Sequence, residues 1–127
     1  MPGLTDVQTI DFLGKILEST RSRTLTWQEA TMLHSLFTAQ TPAFVYTIGS
    51  RDSDDSPPYQ FTISRKLQIQ TRPVLTIETT IGSAVLGAKG TINQLLNDLF
   101  ELVANSARGL EHLYPDLMAN LYDDEPF

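Results

Sequence analysis

The sequence predicts an α+β domain: an antiparallel sheet of about four strands, arranged as a meander and packed by one N-terminal and two C-terminal helices. Three observations carry that prediction. Apolar residues recur at helical spacing near both ends of the chain, over 5–20 and 91–108. Apolar residues recur at strand spacing in runs through the middle, over 43–50, 59–64, 67–70 and 74–81. Polar turn formers separate the alternating runs, which suits hairpins with one buried face. At 127 residues the chain matches one ordinary domain, 1–127, large enough to bury a core without staples. Its 41% hydrophobic and 19% charged residues exclude disorder.

The first helix spans 5–20. Thr5 and Gln8 form a capping box, Asp6 suits the positive end of the dipole, and Val7, Ile10, Leu13, Ile16 and Leu17 make the apolar stripe. Residues 25–40 admit two readings. Thr26 and Glu29 have capping-box spacing, and Ala30, Leu33 and Phe37 follow at helical intervals, which favours a helix from Trp27 to about Phe37. The rival is a short strand at Leu25–Gln28 and another at Leu36–Gln40, favoured by Thr24, Thr26, Trp27 and Thr31. Trp27, the single tryptophan, is expected to anchor the core.

Residues 43–50 and 59–64 form an antiparallel hairpin. Phe44, Tyr46 and Ile48 share one face of the first strand, and Tyr59, Phe61 and Ile63 share one face of the second. The polar segment 51–58 joins them. Alternation continues through Leu67–Gln70, is broken at Thr71-Arg72-Pro73, and resumes in a strand over 74–81. A glycine-rich link, 82–90, leads to the helix at 91–108, where Thr91 and Gln94 repeat the capping-box spacing and Arg108 and Gly109 mark the end. A last helix runs from about Leu110 to Tyr122, with Pro115 breaking it or sitting in the first turn of a restart.

Charge is segregated along the chain. The net charge is −6, and residues 1–90 are neutral. Seven acids in 91–127 face Arg108 alone, whereas 56–90 carries Arg65, Lys66, Arg72 and Lys89 against Glu78. The absence of cysteine excludes disulfides and thiol chemistry. No apolar run is long enough to span a bilayer, and the N-terminus lacks the signal-peptide pattern, so a cytoplasmic protein without membrane attachment is expected. His34 and His112 have no second ligand at metal spacing. Asp52, Asp54 and Asp55 match the start of a calcium loop, but Pro57 and Pro58 and the following strand do not, so a hairpin connection is expected instead. No cofactor is implied.

Gly82 and Gly87 ahead of Lys89 lie where a phosphate loop would, yet Ala88 intervenes before the lysine and Gly90 follows it. The stretch Val85 to Leu95 resembles the Gly-x-x-Gly loop of KH domains, with Gly87 and Gly90 as loop glycines and Lys89 as the phosphate contact. The spacer to Thr91-Ile92 is one residue short, and the helix that follows carries Asp98 and Glu101. A wider resemblance covers most of the chain. A helix ending Ile16-Leu17-Glu18-Ser19-Thr20, a Leu25-Thr26-Trp27 step, an antiparallel meander and a helix containing 96–104 resemble a type of small bacterial domain of unknown function. That resemblance implies a helper, sensor or adaptor and no catalytic residue. It favours the strand reading of Leu25–Gln28.

The expected function is therefore a non-enzymatic protein-binding module: an adaptor, regulator or inhibitor. It would meet another protein of basic character through an acidic C-terminal helical surface, with Asp98, Glu101, Glu111 and Asp116 as contacts, or through a sheet edge. A second copy of the chain is a further candidate partner. The first alternative is nucleic-acid binding through Gly87, Lys89 and Gly90 with Arg65, Lys66 and Arg72, which the acidic balance disfavours. The second is binding of a small molecule or phosphate at Gly82–Gly90.

Overall fold

The computed structural model describes residues 3–30, 35–81, 87–109 and 113–123. The fold is α+β, with α1 (Asp6–Arg21), β1 (Gln28–Glu29), β2 (Leu36–Gln40), β3 (Phe44–Ser50), β4 (Tyr59–Lys66), β5 (Thr71–Glu78), α2 (Ala88–Ala107) and α3 (Leu113–Asp123). The strands form one five-stranded antiparallel sheet in chain order, β1-β2-β3-β4-β5. The meander is as expected, with five strands where about four were foreseen.

Two of the five strands, β1 and β2, come from 25–40, the segment that admits both a helix and a strand reading. Residues 28–29 and 36–40 are extended. Leu25 and Trp27 both point into the core, as do Phe37 and Ala39, so burial here has period two. The Trp27 indole N–H donates to the Thr20 hydroxyl over 3.0 Å, which ties the chain across the end of α1. Ser35, at φ 60°, then turns the chain into β2, a conformation no right-handed helix contains.

Two boundaries also move. Leu67–Gln70 is a turn, closed by the Leu67 N–H on the Gln70 carbonyl at 2.7 Å, with Ile69 94% exposed at its tip. Residues 71–73 do not break the sheet; β5 begins at Thr71. Pro73 is tolerated because β5 is an edge strand, whose outer side needs no donor, and a bulge opposite Ile63/Ser64 absorbs the irregularity. At the other end, α2 begins at Ala88, a turn before Thr91. Its N-cap is Gly87 at φ 53°, so the Thr91–Gln94 box goes unused. The Thr5–Gln8 box is formed as expected, and Pro115 sits in the first turn of α3, where its missing N–H costs no helical bond.

The helices α1 and α2 lie side by side on one face of the sheet, held in step at their N-termini by an ion pair between Asp6 and Lys89 at 3.0 Å. Between them and the sheet lies the core, centred on Leu13, Phe37, Ile48, Phe61, Leu96, Leu99 and Val103. Phe61 meets Phe12 edge-on at 5.8 Å, and Tyr59 stacks on Phe100 at 4.5 Å. On the opposite face the register sets Thr38, Thr47, Thr62 and Thr76 in one row across β2 to β5. No helix among the described residues is long and apolar enough to cross a membrane.

Candidate functional site

The apolar stripe of α2 fixes which of its acids face outward. Ile92, Leu96, Leu99, Phe100, Val103 and Ala104 are buried. Asp98 and Glu101, together with Gln94, fall on the opposite stripe of the same helix. Glu101 is exposed, and half-buried Asp98 accepts a 2.8 Å hydrogen bond from the Gln94 amide. Asp116 is exposed on α3, beside Leu117 at 53% and Leu121 at 68% exposure. Thus Asp98 and Glu101 share one surface, while Asp116 belongs to a separate helix. Glu111 lies outside the described residues.

Arg108, the single base of the acidic C-terminal segment, is turned inward. Its Nε and Nη2 donate to the two Glu29 carboxylate oxygens at 3.1 and 2.6 Å, and its Nη1 and Nη2 donate to Asp55 at 3.0 and 3.1 Å. The guanidinium also lies 5.2 Å from the centre of the Phe37 ring. The Ser35 hydroxyl donates to Asp55, and the Ser35 N–H donates to Glu29 at 3.4 Å. One residue therefore ties the end of α2 to β1 and to the β3–β4 loop. The Arg108 hydrogen bonds hold the Glu29 carboxyl below its ordinary value, and the two carboxylates push the Arg108 guanidinium further up.

The negative field continues into the β3–β4 loop. Burial first, then the charges of Glu101, Asp55 and Asp54, push the Tyr59 phenol up. Asp54 accepts hydrogen bonds from the Ser50 hydroxyl at 2.8 Å and the Ser56 N–H at 3.1 Å, as a turn former does. No group of three potential metal ligands occurs among the described residues. His34 and His112 lie outside them, as do Gly82 and the rest of 82–86.

The residues of the nucleic-acid alternative are dispersed. Gly87 caps α2, and Lys89 and Gly90 are already helical rather than part of an open loop. Lys89 is paired with Asp6 and borders a cleft lined by the second half of β5. Arg65 and Arg72 stand opposite each other at the other end of β5, next to the Lys66–Thr71 pair.

One surface feature was not foreseen. Leu4, Phe12, Phe44, Tyr46, Ile63, Val74 and Leu75 line an almost wholly apolar groove of about 240 Å3 beside α1. Its residues come from four separate elements and the N-terminal segment, so no local sequence pattern marks it. Set against known proteins, the chain matches no family model, no curated protein and no solved structure.

Proposed function

We propose that this protein is a non-enzymatic, cytoplasmic protein-binding module, in keeping with the type of small bacterial domain of unknown function that its element order resembles. It meets a basic surface of its partner with the outward acids of α2 and α3. The observation that supports this is the inward placement of Arg108. Because its guanidinium is engaged by Glu29 and Asp55, the acids Asp98, Glu101 and Asp116 are in no ion pair among the described residues. Exposed acids outside any ion pair suit steering and docking of a basic protein. The sheet edges offer less. β1 has two residues, and β5 carries Pro73 and a bulge, features that blunt an edge against strand addition.

The test is capture from host lysate with the tagged full chain and with a variant carrying Asp98→Lys, Glu101→Lys, Glu111→Lys and Asp116→Lys. One half of each lysate is treated with nuclease. A protein enriched by the wild type in both halves, released by salt and lost with the variant, supports the proposal. Retention of that protein by the variant rejects it. Enrichment confined to the untreated half would turn attention to nucleic acid and to Arg65, Lys66 and Arg72.

A further inference from the structure

The apolar groove beside α1 has a basic rim. Phe44, on its floor, lies 5.1 Å from the Arg65 guanidinium, and Arg65 stands directly across the β4–β5 ladder from Arg72. Like charges in directly opposed positions repel. Neither arginine has an ion pair among the described residues. The site thus combines unfilled apolar ground with uncompensated positive charge. It suits an occupant that is apolar on one side and acidic beside it.

The chain itself supplies such a segment. In α3, Leu117 and Leu121 are one helical turn apart and both mostly exposed, next to exposed Asp116. Asp123, Asp124 and Glu125 follow in sequence, with no base after Arg108. The segment does not occupy the groove of its own chain: no α3 residue lines it. It starts a few residues after Arg108, which is held at the β1 side by Glu29, whereas the groove is lined from β3, β4 and β5.

We infer that the groove is the docking site for α3 of a second copy of this chain. The exchange is reciprocal: each copy inserts Leu117 and Leu121 into the groove of the other and sets its acids against Arg65 and Arg72. Two identical contacts related by a two-fold axis close the assembly as a dimer. This goes beyond the proposed partner binding and does not rest on it. The two readings share Asp116, but the basic partner is also met by Asp98 and Glu101 on α2, and self-association is read on the purified chain alone.

Sedimentation of the purified full chain, from micromolar to submillimolar concentration, tests the inference. The wild type is expected to pass from monomer to dimer, with weaker association in high salt. Leu117→Glu with Leu121→Glu disables the helix, and Val74→Glu disables the groove. Each variant is expected to remain monomeric, at least tenfold weaker than wild type. Mixing the two leaves one intact contact of the two, so any heterodimer is expected to be weaker than the wild-type dimer. All three positions are exposed, so circular dichroism and melting should match the wild type. If Val74→Glu fails that check, Arg65→Glu with Arg72→Glu takes its place. A wild type that stays monomeric throughout overturns the inference. So does a dimer that survives either folded variant at wild-type strength.

Discussion

Replacing Arg108 with alanine removes four hydrogen bonds and a ring contact in one step. The Glu29 pair is bidentate, with both side chains about a quarter exposed (27%/27%), so it contributes about 1 kcal/mol. The Asp55 pair is roughly half-exposed on its acidic side (48%) and adds about 0.5 kcal/mol. The cation over Phe37 contributes about 0.5 kcal/mol more. The expected loss is about 2 kcal/mol, or a fall in Tm of about 8 °C for a domain of this size. Urea unfolding at neutral pH measures it. A double-mutant cycle with Glu29→Gln isolates the pair, with an expected coupling of about 1 kcal/mol. Arg108→Lys keeps the charge but loses the fork, so it should recover less than half of the loss. An Arg108→Ala variant within about 0.5 kcal/mol of wild type would refute the view that this residue ties α2 to the sheet.

Other outcomes follow from the same contacts. Glu29 has a lowered folded pKa, so its contribution is complete above its ordinary value of 4.5 and is lost as pH falls through the folded value. Acid unfolding of Arg108→Ala should therefore show a shallower loss of stability below that pH than the wild type does. Thr20→Val leaves the buried Trp27 indole N–H without its acceptor, which should cost about 2 kcal/mol in denaturant titrations followed by tryptophan fluorescence. In Gly49→Ala the added Cβ would meet Leu36 Cδ1 at 2.8 Å and the Ser35 carbonyl oxygen at 3.2 Å; because the second neighbour is backbone, a loss of about 1–2 kcal/mol is expected. Ile69→Thr, at the exposed tip of the β4–β5 turn, should leave the melting curve unchanged within about 0.5 kcal/mol.

Local signals in the sequence were faithful where the structure uses them locally. The Thr5–Gln8 box and the alternation of Tyr59, Phe61 and Ile63 depend on neighbours a few residues away, and α1 and the β3–β4 hairpin form as those patterns imply. The same spacing at Thr26–Glu29 and Thr91–Gln94 is silent. In the first case Trp27 is fixed by Thr20, a contact outside the segment; in the second the helix has already begun at Ala88. Pro73 reads as a strand breaker until the sheet order places β5 at an edge. At the candidate site, the outward turn of Asp98 and Glu101 was legible from helical period. The capture of Arg108 by a carboxylate 79 residues away was not, because no local pattern encodes it. The groove was hidden for the same reason: Leu4, Phe12, Phe44 and Val74 meet only through the tertiary fold.

The order of elements has a consequence for synthesis. All five strands have emerged by Glu78, and each pairs with its neighbour in sequence, so the sheet can zip as it appears. Yet its apolar face then has α1 alone to cover it. Leu96, Leu99, Phe100 and Val103, which seal the remainder, belong to α2, made only after the whole sheet. A nascent chain halted at residue 81 is therefore expected to be sticky rather than native. It should bind ANS and lack a cooperative melt, and a sharp transition in that fragment would show that the late helix is dispensable. Until α2 leaves the ribosome, that uncovered apolar face is the kind of transiently exposed surface that is prone to aggregation.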